Sequence, residues 1–224
     1  MSGYPDHETY KALYKRFYDG RKPGKLLCLA GDLKGKTVID LCAGDGRLSL
    51  EAVNRGANLI WLFEKEYKMV SYEALHQPQI QTHTINLVTW LENMWYAMLS
   101  SSKVDVFDTA FCQQGVNYWL NNATVKHIPV VLKKGGLFIF NTFNKKPPEK
   151  PLVKKYELNG KEFVEVSWLI GDTVHHVQIR EDMAPHTTSF KWLSPEYLEK
   201  ILSPYFSITV QNDGSSAIYR CSKK

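Results

Sequence analysis

The residues whose types and spacing could do chemistry together are Asp40, Gly44, Asp45, Gly46 and Glu64. The stretch Asp40-Leu41-Cys42-Ala43-Gly44-Asp45-Gly46 closes an apolar run, Lys36–Leu41, and leads into a helical pattern over Arg47–Arg55. Glycines at such a turn let backbone approach a ligand that a side chain would hold off. A dinucleotide would set its pyrophosphate at the start of the following helix. Asp40 and Asp45 would repel that pyrophosphate at short range, and Ser49 stands where a dinucleotide loop has its third glycine. The loop therefore suits a nucleoside ligand that carries positive charge in place of phosphate. Glu64 follows the apolar Leu59–Phe63, about 20 residues past the glycines, where a carboxylate accepts both ribose hydroxyls. The competing reading of Glu64 is a cap for the next helix.

These residues need elements to hold them. Lys36–Leu41, Leu59–Phe63, Thr82–Leu87, Val104–Phe111 and Gly136–Phe143 read as five strands. Helical patterns separate them: Arg47–Arg55 ended by Gly56, a helix after Phe63 through about His76, Val88–Leu99, and part of Asn121–Leu132. Strands alternating with helices predict parallel βαβ units with helices on both faces of one sheet. Glu8–Asp19 has aromatic residues at helical spacing and is followed by the breakers Gly20, Pro23 and Gly24. Beyond a proline-rich loop at 147–151, Tyr156–Leu158, Lys161–Ile170 and Thr173–Arg180 read as an antiparallel meander. The hairpin dipeptides Asn159-Gly160 and Gly171-Asp172 join its strands. Ser194-Pro195-Glu196 starts a capped helix to Leu202, and Ser207–Val210 and Ala217–Cys221 close the chain as strands.

The ordered segments VIDLCAGDGRLS, LFEKEYKM, TINLVTWL, FDTAFCQQGVNYWL and LKKGGLFIFNTF resemble the class I methyltransferases that use S-adenosylmethionine (SAM). The resemblance covers roughly residues 36 to 144. It implies an α/β, Rossmann-like, open and mostly parallel seven-stranded sheet with helices on both faces, here with an inserted antiparallel meander. It also implies a single domain: a lid helix and lead-in over 1–35, a SAM-binding core over 36–144, the inserted meander over 145–193, and a closing helix and strands over 194–224. Asp40, Ala43, Gly44 and Gly46 would hold SAM at the loop and Glu64 its ribose. Lys65 and Met69 would flank the adenosine, Asn86 and Leu87 would meet the adenine, and Cys112 and Gln113 would meet the methionine moiety. Tyr18 would reach the cofactor from the lid. Cys42 departs from the family's first loop glycine and fits if its dihedrals are ordinary. Asn86 departs from the usual Asp, keeping an acceptor and losing a charge.

The acceptor is the less constrained half of the reaction. Strand four ends in QQGVNYW, unlike the Asn/Asp-Pro-Pro-Tyr pattern of methyltransferases acting on bases or glutamine. The lid, the meander and a tail similar to that of natural-product methyltransferases point to a small-molecule acceptor, methylated on O or N. Candidate residues are Tyr118 and His186 as catalytic groups, with Asn117, Tyr118 and His176 contacting the acceptor. His175 and His176 face opposite sides of one strand, so at most one enters a pocket. An RNA or protein methyltransferase, or a non-catalytic SAM-fold partner subunit, are the alternative readings.

Composition narrows the classes further. A formal charge of +5 is spread along the chain, and its densest basic stretch, Lys145–Lys155, is interleaved with prolines. Nucleic-acid binding is not indicated, because no Lys/Arg stripe with stacking aromatics occurs. Cys28, Cys42, Cys112 and Cys221 lack CxxC spacing, which predicts no metal site and no disulfide framework. No run spans a bilayer, so the expectation is a cytoplasmic protein without membrane contact, as a monomer or homodimer.

Overall fold

The computed structural model describes residues 24–100, 106–158, 160–180, 183–214 and 216–224. The amphipathic segment Glu8–Asp19, Tyr18 included, lies outside the described residues. The first described element is a helix, α1 (Gly24–Ala30), where the sequence reading saw only helix breakers. Leu26 and Leu27 are buried there, and tertiary burial outweighs the poor propensity of glycine.

The larger sheet contains β1 (Thr37–Leu41), β2 (Leu59–Phe63), β3 (Ile80–His83), β4 (Phe107–Gln113) and β5 (Leu132–Phe143). Its last two strands are β10 (Phe206–Asp213) and β11 (Ser216–Lys223). Their order is β10-β11-β5-β4-β1-β2-β3. β1 pairs parallel with both β2 and β4, while β11 runs antiparallel to β5 and β10. Chain order reverses between β1 and β4, which opens a crevice at their carboxyl ends, where open α/β sheets bind ligands.

Adjacent residues of these strands serve opposite cores, which explains their continuous apolar runs. Ile39, Phe63, Phe138 and Phe140 belong to one buried cluster, and Val38, Leu62 and Ile139 to the other. The second cluster is capped by α1 and by α2 (Arg47–Asn54), through Leu26, Leu27, Leu48 and Ala52. Gly56 ends α2 with a left-handed φ of 87°. Its N–H bonds Val53 O and the N–H of Ala57 bonds Ala52 O, a Schellman closure.

Several expected boundaries move, each for a local reason. The helix expected after Phe63 is a 3-10 turn, Tyr67–Met69, followed by α3 (Tyr72–Leu75), because extended Val70 breaks it and Ser71 caps a new start. The expected strand Thr82–Leu87 is instead β3 at Ile80–His83. Asn86 Oδ1 accepts from Val88 N and Thr89 N, so it starts α4 (Leu87–Ser100) and withdraws residues 84–87 from the sheet. β4 extends to Gln113, and β5 begins at Leu132, before the expected Gly136. A register shift between Phe107 and Thr109 absorbs the glycine turn as a bulge. α5 (Val116–Trp119) and α6 (Ile128–Val131) are single turns.

The meander forms its own sheet of four strands: β6 (Leu152–Leu158), β7 (Lys161–Ile170), β8 (Thr173–Arg180) and β9 (Met183–Lys191). All its pairings are antiparallel. β9 contains Pro185, which an edge strand tolerates because its outer N–H groups need no ladder partner. The final helix α7 (Pro195–Leu202) starts as expected, with Ser194 Oγ accepting from Tyr197 N at 3.2 Å. Among the described residues no helix is long and apolar enough to cross a membrane. Ser194→Ala removes this cap. It is expected to cost about 1 kcal/mol and to lower the thermal midpoint by roughly 2–4 °C, measured by calorimetry.

Candidate active site

β1 delivers the chain to a loop with three left-handed residues in five: Cys42 (φ 58°), Gly44 (φ 61°) and Gly46 (φ 82°). The two glycines are required for different reasons. A Cβ on Gly46 would lie 2.7 Å from Ala74 Cβ and 2.8 Å from Leu62 Cδ1, so a side chain there is excluded by packing. A Cβ on Gly44 would meet nothing within 4 Å, so this part of the loop faces open space. Cys42 does not have the ordinary dihedrals that the sequence reading required of it. It adopts the left-handed conformation despite its side chain, at a cost of about 1–2 kcal/mol. Gly115 makes room for it: a Cβ on Gly115 would approach Cys42 Cβ to 2.5 Å and Cys112 Sγ to 3.0 Å. A hydrogen bond with the Cys112 thiol, together with burial, pushes the Cys42 thiol well above its ordinary pKa.

Carboxylates dominate the loop. Asp40 is fully buried at the end of β1. Ser49 Oγ, one turn into α2, donates to its Oδ2 at 2.8 Å. Asp40 Oδ1 is buried without a hydrogen-bond partner. Burial pushes the Asp40 pKa up to about 7; the Ser49 bond opposes this, and Asp45 and Glu64 add to it. Asp45 is paired with Arg47, whose Nη2 lies 3.1 Å from Oδ2. Glu64 reaches from the end of β2 to the loop, where its Oε2 accepts from Gly44 N at 2.9 Å and its Oε1 from Glu66 N at 3.1 Å. Burial, the largest influence, raises the Glu64 pKa.

The remaining cofactor candidates surround this loop to different degrees. Lys65 is exposed beside Glu64, and Met69 is buried in the 3-10 turn. Leu87 is buried, whereas Asn86 is exposed and its Oδ1 is engaged in capping α4. Ala43 is half-buried, and its N–H bonds Phe63 O, joining the loop to β2. The Cys112 side chain is buried in the core, leaving its backbone as the group able to meet a ligand. Gln113 is half-buried at the end of β4. The next residue, Gln114, turns the chain with φ 63°, and its N–H donates to Asn141 Oδ1 at 2.8 Å.

On the acceptor side, the structure gives Asn117 a bridging position. Its Nδ2 donates to Lys191 O at 2.7 Å and its Oδ1 accepts from Thr142 Oγ1 at 2.9 Å. This buried amide clamps β9 to the larger sheet. Tyr118 exposes half its surface (50%), yet desolvation raises its phenol pKa against the opposing effect of a hydrogen bond with Thr188. The edge of the Tyr118 ring packs on Phe190, and Phe190 stacks on Phe143.

His176 pairs with Thr188 across β8 and β9, placing it on the same sheet face as this contact. His175 is on the other face, stacked on Trp168 and bonded to Ser189 Oγ. His186 is half-buried, opposite Gln178 and two residues from Thr188. Sequence reasoning missed Thr188, Asn141, Glu165 and Gln178. The last two left a signal: polar residues at alternate positions of β7 and β8, on what turns out to be the buried face.

Solved structures share this architecture. An amino pentose methyltransferase from Micromonospora echinaspora, solved with SAM bound, superposes with a TM-score of 0.69 at 12% identity, over 94% of this chain and 96% of that one. A sugar N-methyltransferase from a Streptoalloteichus species gives 0.65 at 14% identity, over 94% and 92%. A SAM-dependent methyltransferase from Clostridium acetobutylicum gives 0.67 at 15% identity, over 96% and 98%. The fold is therefore that of the class I SAM-dependent methyltransferases. Residues 26–152, more than half the chain, match the family described as conserved hypothetical protein 95, and the chain belongs to that family. No curated protein matches the sequence.

The Asp40 environment has a measurable consequence. The folded protein keeps the Asp40 proton up to about pH 7, whereas the ordinary value is 3.8. Between these values the folded state binds more protons than the unfolded chain, so this group's contribution to stability falls as pH rises. Asp40→Asn removes that penalty. In ligand-free protein the thermal midpoint of the variant is expected to gain on wild type between pH 5 and pH 8. A constant difference across that range would place the Asp40 pKa near its ordinary value.

Proposed function

We propose that this protein is a single-domain, SAM-dependent methyltransferase that delivers the methyl group to an O or N atom of a small-molecule acceptor. The observation that carries the reading is the buried, unpartnered Asp40 Oδ1 beneath an open glycine loop. A buried carboxylate oxygen in that state favours a cationic ligand. SAM is a nucleoside with an ammonium and a sulfonium and no phosphate, which fits three carboxylates and the Glu64 position. When bound it supplies an electrophilic methyl group.

The chain's own residues would do the rest. Asp40 and the Cys42–Gly46 loop hold the cationic end, and Glu64 accepts the ribose hydroxyls. The clamp through Asn117 keeps β9 beside α5, the turn that carries Tyr118, and so fixes the frame of the acceptor side. Much of the acceleration in such a transfer comes from alignment and water exclusion. A hydroxyl or ammonium acceptor must also lose a proton, and His176 is suited to take it. Burial lowers the His176 pKa, with Glu165 opposing and His186 and Lys154 reinforcing the shift, which favours the neutral base.

The small-molecule reading draws support from the separate sheet covering the acceptor side. It draws more from the neighbours of the same fold, an amino pentose methyltransferase and a sugar N-methyltransferase by description.

Calorimetric titration with SAM tests the proposal. Wild type is expected to bind, and Glu64→Ala to weaken binding at least tenfold, about 1.4 kcal/mol. Binding should also tighten from pH 6 to pH 8 as Asp40 ionises. Unchanged affinity in the variant would remove the cofactor from this loop.

A further inference from the structure

The inner face of the four-stranded sheet carries polar and charged residues among apolar ones. Phe163, Leu169 and Val174 on that face are buried, as strand alternation requires. Between them the register sets a transverse row of Lys154, Glu165, Gln178 and His186, one residue from each strand. The neighbouring row is Leu152, Ser167, His176 and Thr188. Thr188 bonds Tyr118, so the Glu165 row lies one strand step, about 7 Å between Cα positions, beyond the row that meets Tyr118.

Glu165 is only 6% exposed and Gln178 2%. Gln178 Nε2 donates to Glu165 Oε1 at 3.0 Å, and His176 Nε2 is 3.8 Å from the same oxygen. Among the described residues, Glu165 has no Lys or Arg partner and no donor to Oε2. Its register neighbour Lys154 is exposed. Burial favours the neutral form of His176, so the imidazole does not supply the counter-charge at neutral pH. A buried carboxylate oriented by a neutral amide, with one oxygen taking no protein donor, has a place for a cationic partner.

We propose that Glu165, oriented by Gln178, recognises the acceptor by receiving an ammonium group that does not itself react. The acceptor is then a small molecule that carries a protonated amine apart from the atom that is methylated. This rests on the methyltransferase reading, and it adds a specificity-determining residue and a substrate class to it. Gln178 is a positioning residue, acting through Glu165.

The test uses cyclohexylammonium and its neutral near-isostere cyclohexanol, titrated at pH 7.5 into the full chain loaded with S-adenosylhomocysteine. Wild type is expected to bind the ammonium at least tenfold more tightly than the alcohol. Glu165→Gln should bring the two probes level while leaving alcohol binding unchanged. Equal binding of both probes by wild type, binding of neither, or equal loss of both in the variant would each overturn the proposal. A thermal midpoint of Glu165→Gln at or above wild type is also expected, since a buried charge is removed. A fall of several degrees would assign Glu165 a purely structural role. Binding of S-adenosylhomocysteine is measured first and separately. If wild type fails to bind it, the methyltransferase reading falls, and the same probes on unloaded protein still decide the role of Glu165.

Discussion

A carboxylate held in the interior at the end of β1 sets terms that the rest of the molecule meets. Asp40 cannot be solvated there, so one oxygen takes the Ser49 hydroxyl, which fixes how α2 leaves the loop. The loop must reverse within five residues to bring Ser49 back. It does so through left-handed conformations at Cys42, Gly44 and Gly46, the last pressed against Ala74 and Leu62. Glu64 then ties the loop to β2 through the Gly44 N–H. Three acidic groups thus converge on one crevice. A cationic ligand in it would offset the repulsion among them.

The second sheet depends on the first through a small number of directed bonds. Asn117 joins Lys191 of β9 to Thr142 of β5, and Tyr118 bonds Thr188 of β9; within the second sheet, Trp192 N bonds Asp172 O to close the β7–β8 hairpin against the end of β9. These bonds are local and polar, whereas the sheet's inner face mixes aromatic and charged residues. A surface of that kind is poorly suited to permanent dry packing and well suited to a ligand that brings both apolar and polar groups.

Much of the parallel core was legible in the sequence because its strands are apolar on both sides and its loop carries an unusual combination of glycine and acid. β2 and α7 were read at their observed limits, the latter because Ser194-Pro195 is a start signal with a mechanism. β3 was not, since TINL looks extended until Asn86 is seen to cap a helix. α1 was hidden because its glycine is locally unfavourable and only burial of Leu26 and Leu27 repays it. The cofactor candidates could be named from motif spacing. Glu165 and Gln178 were missed because the alternating polar positions of β7 and β8 gain meaning only once the register sets the two side by side.

The edges of the four-stranded sheet bear on how copies of this chain could associate. β9 presents Pro185 at a register irregularity, and β6 presents the consecutive Lys154 and Lys155. A proline removes a donor from one outer rim, and like charges on the other resist a second copy of themselves. Continuation of this sheet from molecule to molecule is therefore blocked at both ends. The inserted hairpins are thereby confined to their own four strands and do not seed a fibre.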